Sequence, residues 1–266
     1  MVTGAGRGIG RAYAELLAER GAHVVVNDID AETGADDTND VSTVDGAQAL
    51  IDAAIEQHGR IDALINNAGN IEWAGMPEVD AANLAAHIAV HTVGSFNTAR
   101  AAWPHMTAAG YGRIVMTTSA GLFGLPANTS YATAKGGVIG LTRSLAVAGR
   151  KVGIKVNAIA PAAQTRMAGP PTEKSKHMSP EQVAPMAAFL AHEDCPVSGE
   201  IYTAGASRFA RLFIASTEGY LFPGPAPTIE AVAENWEVIN DETGYFVPAD
   251  LMSWSAAFTE HLDGQG

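Results

Sequence analysis

The chain has 266 residues, 47% of them hydrophobic, enough for one large domain with a substantial core. Its 16 Lys and Arg stand against 29 Asp and Glu, and the formal net charge of −13 argues against a nucleic-acid partner or an anionic membrane surface. Cys195 is the only cysteine, so an internal disulfide is excluded; no apolar run of about 18 residues and no charged-then-apolar leader is present, and the expectation is a soluble, cytoplasmic protein.

In chain order, the first feature is Thr3-Gly4-Ala5-Gly6-Arg7-Gly8-Ile9-Gly10, followed by a helical pattern over Arg11–Arg20. Only Met1 and Val2 precede it, too few to cross a sheet at about 3.3 Å per residue, so a mis-assigned start or a shortened chain is expected. Glycines at a strand-to-helix turn let the backbone of Gly4, Arg7, Gly8, Ile9 and Gly10 approach a pyrophosphate; a merely flexible turn is the bland alternative. The strand Ala22–Val26 ends in Val26-Asn27-Asp28. An acid at Asp28 accepts hydrogen bonds from adenosine ribose hydroxyls and repels a 2′-phosphate, which favours NAD over NADP. Arg7 is a counter-signal, since a base in the loop pairs with that phosphate. Between Asp28 and Asp40 there is too little chain for a helix plus a strand, so one crossover unit is expected to be shortened or omitted.

A helix over Gly46–His58 leads to the strand Ala63–Ile65, closed by Asn66-Asn67-Ala68-Gly69. Asn67, Ala68 and Gly69 then fall at the C-terminal sheet edge, where open α/β folds bind ligands, although asparagine and glycine also serve turns. Helices over Asn83–Ala109, Ser130–Gly149 and Pro180–His192 alternate with strands over Arg113–Met116 and Ile154–Ile159. Several strands are too apolar for either face to be solvated. The fold expected is α/β, a doubly wound Rossmann-type parallel sheet with helices on both faces. Residues 1–205 form the dinucleotide-binding catalytic domain. Residues 206–266, with a Gly- and Pro-rich stretch at 219–227 and a helical pattern over Thr228–Asn240, read as its C-terminal extension. No metal site is expected.

Tyr131-Ala-Thr-Ala-Lys135 carries the chemistry. Residues four apart share one helix face, and Asn128-Thr129-Ser130 supplies N-cap candidates that place Tyr131 in the first turn. The helix dipole and the Lys135 ammonium would each stabilise a phenolate, a neighbouring charge lowering a tyrosine pKa by about 1 to 3 units. Alone, the pair reads as well as a half-exposed aromatic beside a solvated lysine.

Together, TGAGRGIG at 3–10, NNAG at 66–69, the Ser-bearing strand end at 114–119 and YATAK at 131–135 resemble the short-chain dehydrogenase/reductase family, in family order and over most of residues 1–205. The resemblance implies a nicotinamide cofactor, with Tyr131 as proton donor or acceptor and Lys135 holding the nicotinamide ribose while lowering the phenol pKa. It implies a hydroxyl that binds the reacting oxygen. Family spacing points to Thr118 and alignment of the strand end to Ser119, and Ser119 is preferred because a loop loses a residue more easily than a packed strand. His91 takes the place of an asparagine that anchors a proton-relay water, with a structural role as the alternative. Asp40-Val41 resembles the pair that contacts adenine; Pro161-Ala162 replaces a Pro-Gly, and Thr165 matches a nicotinamide carboxamide contact.

A narrower likeness, through VHTVGSF at 90–96, RAAWPHM at 100–106, YGRIVMTTS at 111–119, IAPAAQTRM at 159–167 and IEAVAENW at 229–236, is to the (3R)-hydroxyacyl-CoA dehydrogenase part of type 2 multifunctional enzymes. It implies a small-molecule alcohol or ketone substrate, an acyl-CoA among the candidates. Arg208 and Arg211 either bind CoA phosphates or are solvated. Steroid, sugar and carrier-bound substrates stay open, as does a dinucleotide sensor without chemistry. Family helices like 130–149 form subunit interfaces, so a homodimer or homotetramer is expected, with burial inside one subunit as the alternative.

Overall fold

Ile114 and Val115 are adjacent in the chain and both fully buried, which requires a strand covered on both faces. In the computed structural model, which describes residues 1–224 and 227–262, they lie in a seven-stranded sheet of order β2-β1-β3-β4-β5-β6-β7. The strands are β1 Val2–Thr3, β2 Val26–Asn27, β3 Ala63–Asn66, β4 Gly112–Thr117, β5 Ile154–Pro161, β6 Ile201–Gly205 and β7 Arg208–Leu212. β1 to β6 pair in parallel and β7 is antiparallel to β6, which modifies the expected all-parallel sheet. On one face Leu64, Ile114, Met116 and Val156 pack with Leu50, Ile51, Met106 and Val138. On the other, Val2, Ile65, Val115 and Ile159 pack with Tyr13, Ala187 and Leu190. These partners come from α2 (Val44–His58), α4 (Gly94–Ala109) and α5 (Thr129–Gly149) on the first face, and from α1 (Gly8–Glu19) and α6 (Ala184–Leu190) on the second. The sheet is thus doubly wound, and the chain reverses direction beside β1, where such folds bind ligands.

Several boundaries differ from expectation for physical reasons. β2 is two residues long, not Ala22–Val26, because β1 offers it only two partners. Residues 28–43 hold no crossover helix: Ala31–Thr33 form a 3-10 turn, and Asn27 makes a single bridge to Asp37. The shortened unit therefore leaves β2 at the sheet edge, where the Asp36 carboxylate accepts from Val26 N at 2.9 Å. The expected helix Asn83–Ala109 begins as α3, Ala81–Ile88, capped by Asp80, and reaches α4 through a π turn, Ala89–Val93. Pro180–Gln182 form a 3-10 turn ahead of α6, shortening the expected helix Pro180–His192. β6 and β7 join through Ala206 and Ser207, at φ 50° and 57°.

The chain divides into two compact units, Met1–Leu212 and Phe213–Gly266. Within the second lie α7 (Ile229–Glu234), α8 (Trp236–Ile239) and α9 (Leu251–Thr259), the last closed by a capping box between Asp250 and Ser253. Trp254 stacks on Phe258 at 4.8 Å between ring centroids, and Ser216 bridges Phe246. Of the Gly- and Pro-rich stretch, Pro225 and Ala226 lie outside the described residues. No described helix is long and apolar enough to cross a membrane.

Candidate active site

The loop after β1 turns through Gly4 and Gly8, both at positive φ, into α1, whose N-cap Arg7 makes no side-chain cap and so leaves first-turn N–H groups available. A Cβ at Gly10 would collide with the Gly4 carbonyl and Asn67 Nδ2. Asn67 Nδ2 donates to Thr3 O and Gly4 O at 3.1 and 2.9 Å, and Thr3 Oγ1 accepts from the N–H of Asn67 and of Ala68, each at 3.0 Å. These bonds clamp the end of β3 onto the end of β1. Asp28 stands just past β2, its carboxylate accepting from Gly6 N and Asp30 N, both at 3.1 Å. Arg7 forms an ion pair with Asp30, so the loop's base is already matched by an acid.

The second group gathers on α5. Its first turn places Tyr131, although Asn128, the N-cap, makes no side-chain cap bond, contrary to expectation. Ser119 lines the cleft with Tyr131, and its Oγ accepts from Gly121 N at 3.0 Å. Lys135 is buried; its Nζ donates to Thr117 O at 2.7 Å and lies 5.6 Å from the Tyr131 ring centroid. Burial lowers the Lys135 pKa to about 7. Burial also raises that of Tyr131, with the Ser119 hydroxyl opposing it. The expected lowering of the phenol by helix and lysine is therefore outweighed by desolvation. Thr118 is fully buried and donates to the Lys135 carbonyl at 2.9 Å, which leaves Ser119 as the hydroxyl beside the phenol.

His91, in the π turn, meets the Tyr131 ring edge-on at 5.1 Å and stacks on His87 at 6.0 Å. Its Nε2 lies 2.8 Å from the Asn70 carbonyl and so carries the proton, leaving Nδ1 an acceptor, which is buried without a partner. Burial, with Lys135 adding to it, holds this imidazole neutral, its pKa far below the usual range. His87 donates from Nδ1 to Asn83 O and accepts from Glu72 N at Nε2. The two histidines share the four-residue spacing of many metal sites, yet both His87 nitrogens are taken, and no cluster of three potential ligands occurs among the described residues.

One cleft, of about 1290 Å³, joins the two groups. Gly4, Arg7, Gly8, Ile9, Gly10, Asp28, Asp40, Val41, Asn67, Ala68 and Gly69 line it with His91, Ser119, Tyr131, Lys135, Pro161 and Thr165, whereas Thr118 does not. Also on its walls are Asn70, Trp73, Asn128 and Arg166, to which sequence reasoning assigned no role in the site. A cap signal hid Asn128; Arg166 follows Thr165 directly and was readable as a cleft cation by position. Arg208 and Arg211 lie on β7 and do not line the cleft, and Arg211 pairs with Glu200.

The model of the short chain dehydrogenase family matches residues 1–176. The chain belongs to that family. A short-chain type dehydrogenase/reductase of Mycobacterium tuberculosis is 36% identical, covering 92% of this chain and 94% of the relative. Peroxisomal multifunctional enzyme type 2 of Mus musculus is 35% identical over 98% of this chain, which spans 39% of that longer protein. The structure of full-length peroxisomal multifunctional enzyme type 2 from Drosophila melanogaster superposes with a TM-score of 0.83 at 32% identity, over 98% of this chain and 48% of that one. Membership makes the chain an oxidoreductase that interconverts a secondary alcohol and a ketone with a nicotinamide dinucleotide. The glycine turn that admits no Cβ, the uncapped start of α1 and the carboxylate of Asp28 fit such a cofactor.

Proposed function

We propose that Tyr131 exchanges the proton of the substrate alcohol, Ser119 holds the reacting oxygen, and NAD is the cofactor. The observation that carries this reading is that Tyr131, Ser119 and the buried Lys135, whose Nζ lies 5.6 Å from the phenol ring centroid, line the same cleft as the glycine cradle. When bound, the nicotinamide accepts or returns the carbinol hydride. Lys135 holds the ribose hydroxyls, and Pro161 and Thr165 border the nicotinamide. Asp40 and Val41 border the adenine. His91 Nδ1, an acceptor without a protein partner, anchors a relay water while its Nε2 keeps Asn70 in place. NAD over NADP is supported by Asp28 and by the pairing of Arg7 with Asp30, which leaves that base a poorer partner for a 2′-phosphate.

A 3-hydroxyacyl-CoA is the substrate class we favour. Arg166, an exposed cleft cation with no carboxylate partner among the described residues, supplies the local positive charge that an anionic substrate needs in a chain of net charge −13. Another relative, cis-4-hydroxycyclohexanecarboxylate dehydrogenase of Sinomonas cyclohexanicum, is 40% identical over 73% of this chain, and a small hydroxy acid is the alternative anion. The exposed apolar residues Val93, Phe96 and Val147 support a homodimer or homotetramer. The buried single cysteine suits the cytoplasm, while two of the relatives named above are peroxisomal.

Replacing Tyr131 with Phe removes the proton carrier and leaves the ring packing intact. The expected result is loss of turnover by about 100-fold or more, with NAD still bound, as read by nicotinamide absorbance and by calorimetry. Wild-type rates in Y131F would exclude Tyr131 as the acid–base group.

A further inference from the structure

Two buried histidines stand four residues apart where α3 runs into the π turn; His91 borders the phenol, whereas His87, 1% exposed, does not line the cleft. The hydrogen bonds of His87 fix its tautomer. Nε2 accepts from Glu72 N at 3.2 Å, so the ring proton sits on Nδ1, which donates to Asn83 O at 2.8 Å. Asn83 in turn donates from Nδ2 to Glu72 O at 3.2 Å, and both main-chain groups of Glu72 are thereby held by α3.

These bonds act on a segment that forms part of the cleft. Asn70 is tied through its carbonyl to His91 Nε2, Glu72 to His87 and Asn83, and Ala74 to Asn128 by a parallel bridge. Every second residue is thus anchored in the protein. The two between them, Ile71 and Trp73, line the cleft, in keeping with the alternation of side chains along an extended chain. Trp73 is 50% exposed, and an indole held half-open in the cleft that contains Tyr131 offers a surface to the apolar part of a substrate.

The reacting groups themselves do not depend on Glu72. Lys135 is held by Thr117 O and Ser119 Oγ by Gly121 N, and the imidazole nearer to the Tyr131 ring is that of His91, at 5.1 Å against 6.2 Å for His87. A fault at His87 is therefore felt by the bound substrate and not by the chemical step.

We infer that His87 is a positioning residue for the substrate: acting through Glu72, it fixes the wall made by Ile71 and Trp73, against which the apolar part of the alcohol packs, and so sets KM and not kcat. This rests on the dehydrogenase reading of the cleft and adds to it a residue that lies outside the cleft. Asparagine at position 87 keeps a donor near the place of Nδ1 but is too short to reach Glu72 N. Glutamine carries an acceptor out to the place of Nε2.

The test uses wild type, H87N and H87Q, each checked by thermal melting. It measures kcat and KM at saturating NAD for (3R)-hydroxyoctanoyl-CoA, or for whichever alcohol of a screen wild type turns over best, together with NAD affinity by calorimetry and hydrogen exchange of the Glu72 amide. In H87N, KM is expected to rise about 3- to 10-fold and the Glu72 amide to exchange about 10-fold faster, while kcat and the NAD dissociation constant change by less than about 2-fold. H87Q should recover most of both losses. An unchanged KM in H87N, a fall in kcat alone, or a raised KM that glutamine does not lower overturns the assignment and leaves the dehydrogenase reading intact. Failure of wild type on every alcohol of the screen sinks that reading and the inference with it. If H87N does not fold, H87L, which fills the volume without an acceptor, is measured in its place against the same outcomes.

Discussion

Desolvation sets the protonation of both members of the Tyr131–Lys135 pair. Burial raises the phenol pKa above its usual value near about 10 and lowers that of the ammonium to about 7. Alcohol oxidation needs the phenolate as proton acceptor, and a raised pKa means less phenolate at any given pH. Oxidation should therefore climb with pH through neutrality and past pH 9, by about tenfold per unit. Ketone reduction, which needs the protonated phenol, should stay level over that range. Initial rates in both directions across a pH series check this; an oxidation plateau below pH 8 would mean that the bound cofactor, or Lys135 in its presence, reverses the effect of burial. The sequence showed that the two side chains share a helix face, because four-residue spacing is geometric. It did not show their burial, which depends on Thr117, Thr118 and His91 arriving from other elements. Asn128 stands at the N-cap of α5, as its residue type signals, and only the fold reveals that its side chain makes no cap bond.

At the scale of elements, the apolar strands and the helices between them were legible, since both faces of the sheet demand hydrophobic residues. The π turn was not, because one extra residue in a helix leaves no compositional mark, yet it sets the ring of His91 against Tyr131. The β6–β7 hairpin was missed as well. Its two turn residues are Ala206 and Ser207, both left-handed, where Asn-Gly is the usual signal. A left-handed residue other than glycine costs about 1 kcal/mol. The double substitution A206N/S207G should therefore stabilise the protein by about 0.5–2 kcal/mol, read as a higher urea midpoint at unchanged slope. A lowered midpoint would show that the side chains, and not the backbone, govern this turn.

For the whole molecule, the doubly wound architecture followed from the order of strands and helices, whereas the division falls after Leu212 and not at residue 205, because β7 pairs with β6 and so belongs to the first unit. Both hydrophobic clusters lie before residue 213, and no described residue of Phe213–Gly266 is buried. A chain ending at Leu212 should thus retain a cooperative thermal transition and the same α/β circular dichroism per residue. A broad, non-cooperative melt would show that the second unit is needed for the first to fold. The omitted crossover unit has a further effect on that first unit. With β2 outermost, the sheet ends in a strand of two residues, one of whose N–H groups is already occupied by the Asp36 carboxylate. An approaching strand of another molecule finds no ladder to extend there and meets negative charge instead. The shorter chain is thereby protected on that side from edge-to-edge aggregation by the same acidic loop that replaced the missing strand.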